Sequence, residues 1–127
     1  MTDIPQQEWP IVLHPDFDPE FDALPLEVQD GLLAVLRLLG DYGPRLGRPH
    51  VDTLAGSRYA NMKELRVRRR REQWRFLFAF DERRTAVVLT GGNKAAEARF
   101  YQRRIATADA RFEGHLAAMK KKEKPKR

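Results

Sequence analysis

The chain has no cysteine among its 127 residues, which removes disulfides, thiolate nucleophiles and cysteine-based zinc sites together. It also lacks any apolar run near the ~18 to 20 residues needed to cross a bilayer. Its start, MTDIPQQEWP, has neither the charged lead nor the apolar stretch of a signal peptide, so a cytoplasmic location with no membrane partner is expected. Histidine is scarce. His14, His50 and His115 are scattered and unaccompanied by paired carboxylates, so each reads as an ordinary histidine, and no metal or other cofactor is expected. Acidic residues are scarce in one half only: residues 61–127 hold 8 against 20 Lys/Arg, whereas residues 1–60 hold 10 against 4.

What is present supports one domain with a real core. An apolar content of 42% over this length buries roughly two thirds of the surface that the unfolded chain exposes. The basic half is interleaved with aromatic residues, a composition that suits a polyanion, with nucleic acid first and an acidic protein segment second. A solvated basic face accounts for the charge equally well.

Trp9 to Leu13 is short and β-branched and reads as a strand; Asp16 is placed to cap a short helical turn through Leu24. Pro25 opens a longer helix in which Val28, Leu32, Val35, Leu36 and Leu39 form one buried stripe, ended by Gly43-Pro44. Gly31 inside it costs ~1 kcal/mol relative to alanine. Residues 45–61 have no period and read as a long loop. Three strands follow, at 62–69, 73–81 and 85–90, joined by short polar connections as an antiparallel meander whose edge the first strand joins. After GGNK a helix runs from about Glu97 to Met119. The tail, KKKEKPKR, lacks an apolar anchor and is expected to be disordered. The result is a small α+β domain over 1–119, with N-terminal strand and helices, antiparallel sheet and C-terminal helix, followed by a basic tail over 120–127.

Strand alternation places candidate chemistry. Trp74, Phe76, Phe78 and Phe80 share one face, the core, while Arg75 shares the other with Leu77 and Ala79. In the preceding strand, Glu64, Arg66 and Arg68 oppose Leu65 and Val67, so Arg66 and Arg68 lie beside Arg75 as a cationic patch. Lys94 follows a Gly-Gly turn that lets a ligand come close, and Tyr101 stands one turn into the last helix. Lys63, Glu64, Arg66, Arg75, Lys94 and Tyr101 are thus the candidate site. GGNK lacks the spacing of a nucleotide-binding P-loop, which excludes ATP or GTP on that basis.

These residue types fit metal-independent RNA cleavage. The reaction needs a base for the ribose 2′-hydroxyl, cations for the phosphate and an acid for the leaving 5′-oxygen. Lys63 or Glu64 is a candidate base, Arg66 and Arg75 are phosphate clamps because a guanidinium holds two oxygens at once, and Lys94 is the acid or a further clamp. Arg68, Arg69, Arg70 and Arg71 add general RNA or ribosome adhesion.

The runs GPRLGRPHVDTLAGSRYANMKELRV, WRFLFAFDERRTAVVLTGGNK and FYQRRIATADARFEGHL resemble the HigB/phage Gp49-like branch of the RelE/ParE toxin superfamily, over about residues 8–118. The resemblance implies a RelE-type fold, ribosome-dependent cleavage of messenger RNA with inhibition of translation, and neutralisation by a helix-turn-helix, HigA-like antitoxin, with operator DNA bound only through the antitoxin complex. Basic site residues of the superfamily carry over to Lys63 and Arg66 in KELR, Arg75 in WRF and Lys94 in GGNK, with Tyr101 in FY. One departure stands out: alternation puts Lys63 on the face opposite Arg66, so the two share a site only if a bulge intervenes or Lys63 precedes the regular strand. A ParE-like inhibitor of DNA gyrase and a basic RNA- or ribosome-binding adaptor are the alternative functions.

Overall fold

The computed structural model describes residues 8–123. Five strands form one sheet: β1 (Ile11–Leu13), β2 (Val51–Thr53), β3 (Lys63–Arg69), β4 (Glu72–Phe80) and β5 (Ala86–Asn93). Three α-helices accompany them among the described residues: α1 (Asp18–Asp22), α2 (Leu26–Tyr42) and α3 (Phe100–Glu123). The spatial order is β1-β5-β4-β3-β2. β2 to β5 are mutually antiparallel, and β1 joins the free edge of β5 in parallel, with Val12 opposite Val87. This is the α+β arrangement expected from the sequence. Among the described residues no helix is long and apolar enough to cross a membrane.

The stripe read from α2 is the buried stripe: Val28, Leu32, Val35, Leu36 and Leu39 pack on Phe76, Phe78, Leu65 and Val67. Gly31 sits where α2 comes nearest to the sheet, and a Cβ there would meet Val67 Cγ1 at 2.7 Å. The helix therefore accepts a poor helix former in exchange for close approach. The opposite face of the sheet is also covered. Met62, Leu77, Ala79, Val87 and Leu89 pack under Phe100, Ala108 and Phe112 of α3. Arg75 therefore does not lie on an open surface, as alternation alone implied; its face is roofed by the last helix and it is 7% exposed.

Several local expectations are corrected. Residues 45–61 are not one loop, because Val51–Thr53 pair with Lys63–Leu65 as the second edge strand. Asp16 does not cap α1, whose N-cap is Phe17 without a side-chain bond. Gly91 and Gly92 belong to β5 rather than to a turn. A side chain at Gly91 would overlap the Phe76 ring, and one at Gly92 would crowd Phe100 and Arg104, so packing explains both. The helix expected from Glu97 starts at Phe100 and runs through Glu123, past the boundary at Met119; residues 124–127 lie outside the described residues. The sheet irregularity falls between Leu77 and Phe78 against β5, leaving β3 and β4 in regular register.

Candidate active site

Arg66 and Arg75 are direct cross-strand partners on β3 and β4, two positions along from the Glu64–Leu77 pair. Two guanidinium groups side by side on a sheet repel unless an anion lies between them. Glu64, 3% exposed, supplies it. Its Oε2 accepts from Arg66 Nε at 3.0 Å and lies 3.8 Å from Arg75 Nε. Its Oε1 accepts from the Tyr101 hydroxyl at 2.7 Å. Arg75 anchors one end by donating Nη1–H to the Trp74 carbonyl at 3.1 Å, yet its buried Nε has no hydrogen-bond partner. The Glu64 carboxylate balances that charge from 3.8 Å without hydrogen-bonding to it, so Arg75 is held less completely than Arg66.

Tyr101 comes from the first turn of α3 and links this cluster to Lys94, whose Nζ lies 5.8 Å from the centre of the tyrosine ring. Burial first, and the bond to Glu64 second, push the Tyr101 phenol up to about 12. It is a neutral donor at physiological pH and holds Glu64 in place. Glu64, Arg66, Arg75, Lys94 and Tyr101 are therefore brought together: a carboxylate, two guanidinium groups, an ammonium and a phenol around one end of the sheet.

Lys63 is not among them. It faces Phe78 across β3 and β4, on the α2 side, and its Nζ donates to the Pro44 carbonyl at 3.3 Å. With no bulge in β3, strand geometry excludes it.

The arginine run is divided by the same alternation. Arg68 is exposed on the site face, while Arg69 turns to the other side and is bonded to Glu27 at 2.7 Å. Arg70 and Arg71 form the two-residue hairpin tip, with Arg70 at φ 56°. Sequence reading missed Asp52, which takes Arg66 Nη2 at 3.0 Å as well as Arg48 at 2.9 Å. The hydrogen bond from Arg48, followed by the Thr53 amide, holds the Asp52 carboxyl below the usual carboxylate range. It also missed Arg104, bonded to Glu97 at 2.8 Å and to Thr90 at 3.3 Å. The β-branched pair in VDT was the signal for the strand carrying Asp52; the pairing of Arg104 had none.

This geometry stands on residues that a family model also recognises. Residues 19–113 match the model described as phage derived protein Gp49-like, three quarters of the chain and all of the clustered side chains. The chain belongs to the phage-derived Gp49-like family. Two relatives of this Gp49-like protein bear toxin names, HigB2 and HigB3, both of Mycobacterium tuberculosis. HigB2 is 44% identical over 108 residues, 84% of this chain; the match spans 53% of HigB2, about half its length. HigB3 is 40% identical over 109 residues, covering 85% of this chain and 94% of HigB3.

Proposed function

We propose that this Gp49-like protein is the toxin of a toxin–antitoxin pair and acts as a metal-independent endoribonuclease on messenger RNA, working on the translating ribosome. The observation that carries the reading is the pairing of Arg66 with Arg75 around the buried Glu64, with both arginines bordering one half-open hollow. The toxin names of its relatives support the biological role.

In the cleavage step, the ribose 2′-oxygen bonds to phosphorus and the bond from phosphorus to the 5′-oxygen breaks. Glu64 takes the 2′-hydroxyl proton. Arg66 and Arg75 hold the non-bridging oxygens, where charge builds up as the phosphorus becomes five-coordinate. Lys94 gives a proton to the departing 5′-oxygen. The products are a 2′,3′-cyclic phosphate and a 5′-hydroxyl, with no co-reactant required. Tyr101, kept neutral, positions the Glu64 carboxylate. Lys63 takes no part, because it faces the other side of the sheet.

Exposed Arg68, Arg70 and Arg71 supply the wider attraction to RNA and ribosome. A helix-turn-helix antitoxin would neutralise the protein by covering this cationic end, and operator DNA would be reached only through that complex. Expression of the protein alone tests the reading. Growth arrest that Arg75→Ala and Lys94→Ala each relieve, at unchanged protein levels, is expected. Arrest with broken chromosomal DNA and intact transcripts would replace it with a gyrase inhibitor, and equal arrest by wild type and both variants would remove the site assignment.

A further inference from the structure

The space beside Arg66 and Arg75 does not end at the reacting centre. β2 pairs only with Lys63–Leu65, so the outer edge of β3 from Arg66 onward has no neighbouring strand. A half-open hollow of about 490 Å³ lies there, bounded by Gly31 and Val35 of α2, by Pro49 and His50 ahead of β2, and by Val67 and Arg68 of β3. Arg66 and Arg75 line the same hollow, which makes it continuous with the phosphate-holding groups.

Its construction suits a flat aromatic ring. The floor is apolar, formed by Val35 and Val67. On the α2 side it is bordered by Gly31, against which Val67 packs closely. Two planar polar groups, the His50 imidazole and the Arg68 guanidinium, border the hollow, and the His50 backbone is tied down by the Arg66 N–H at 2.8 Å. The Arg68 side chain has no hydrogen-bond or ion-pair partner among the described residues, so its plane is available for stacking. Pockets of roughly 300 to 1,000 Å³ hold groups from single-nucleotide size upward.

We propose that this hollow is a nucleobase subsite. It receives the base next to the phosphate held by Arg66 and Arg75, stacked against His50 and Arg68 over Val35 and Val67. The inference rests on the reading of those two arginines as holders of an RNA phosphate. Because stacking accepts any base, the subsite recognises the presence of a ring more than its identity.

The test uses the full chain and no cleavage readout. Protein labelled in its three histidine rings is titrated with adenosine 5′-monophosphate, uridine 5′-monophosphate and inorganic phosphate, and followed by NMR. Both nucleotides should move the His50 ring well beyond any shift that phosphate causes there, while leaving His14 and His115 in place. His50→Ala and Arg68→Ala should each weaken nucleotide binding by about tenfold, the loss of one stacking contact, and His50→Ala should change phosphate binding by less than about twofold. Both side chains border an open hollow, and matching melting curves confirm that each variant folds. Nucleotide and phosphate binding with equal strength, or nucleotide binding without a response at His50, would overturn the subsite. Nucleotides that bind as described while transcripts remain uncut in cells would keep the subsite and remove the nuclease reading.

Discussion

Replacing Glu64 with glutamine changes one charge and almost no volume, and its consequences separate stability, binding and chemistry. Removing one partner of a fully buried ion pair costs ~3–5 kcal/mol, because the other charge is left uncompensated. Here the loss is smaller. Arg66 keeps Asp52 at 3.0 Å, and the amide oxygen of glutamine still accepts the Tyr101 hydroxyl, which Glu64 holds at 2.7 Å, while the amide NH2 replaces the acceptor of Arg66 Nε. Arg75 loses its anion, which stood 3.8 Å away. The expected destabilisation is therefore at the lower end, ~2–3 kcal/mol, seen as a fall in melting temperature of roughly 6 to 15 °C for a domain of this size. Added phosphate should recover more stability in the variant than in wild type, since it supplies Arg66 and Arg75 with the negative charge that glutamine lacks.

RNA binding and cleavage should move in opposite directions. With the Glu64 carboxylate no longer competing for the two arginines, a non-cleavable RNA should bind at least as tightly as to wild type. Single-turnover cleavage of ribosome-bound message should fall by ~10²- to 10⁴-fold, the usual worth of a positioned base. Glu64→Gln that cleaves at the wild-type rate would refute the base assignment, and weaker binding of non-cleavable RNA would refute the view that Glu64 and phosphate compete for the same cations.

Tyr101 should stay protonated until about pH 12, whereas an ordinary tyrosine ionises near ~10. Since the folded state holds this proton more tightly than the unfolded chain, its contribution to stability is intact below pH ~10 and is lost as pH rises through about 12, and ultraviolet titration of wild type against Tyr101→Phe measures it. Gly31→Ala should destabilise by ~1–2 kcal/mol in chemical denaturation despite better helix propensity, because the new Cβ meets Val67 Cγ1 at 2.7 Å, and Val67→Ala in the same chain should remove most of that specific clash. Arg70→Asn should stabilise by ~0.5–1 kcal/mol, since φ 56° suits asparagine better than arginine at a two-residue hairpin turn, while lowering ribosome affinity at low salt; unchanged affinity would show that Arg70 makes no contribution to binding.

The elements with strong periods were legible in the sequence. The buried stripe of α2 and the aromatic row of β4 each declare a face, and alternation from Glu64 to Arg75 correctly places Glu64, Arg66 and Arg75 together. Alternation also warned against Lys63, and regular register in β3 shows why. What did not show was anything that depends on a second layer. Arg75 read as exposed because its own strand says nothing about α3 covering that face. The GGNK glycines read as a turn, because the need for a bare backbone beside Phe76 and Phe100 arises only on packing. β2 is three residues long, too short to display a period, so Asp52 stayed hidden with it. The partition of the four arginines between exposed and ion-paired positions became visible only with Glu27 bonded to Arg69.

The most direct measurement is the sequencing of transcript ends after brief induction of wild type and of Arg75→Ala, with chemistry that separates cyclic phosphate from hydroxyl termini. Wild type should produce new internal ends in messenger RNA, with 2′,3′-cyclic phosphate on one side and 5′-hydroxyl on the other, and Arg75→Ala should produce almost none. Growth arrest by wild type with transcripts left whole would contradict the account.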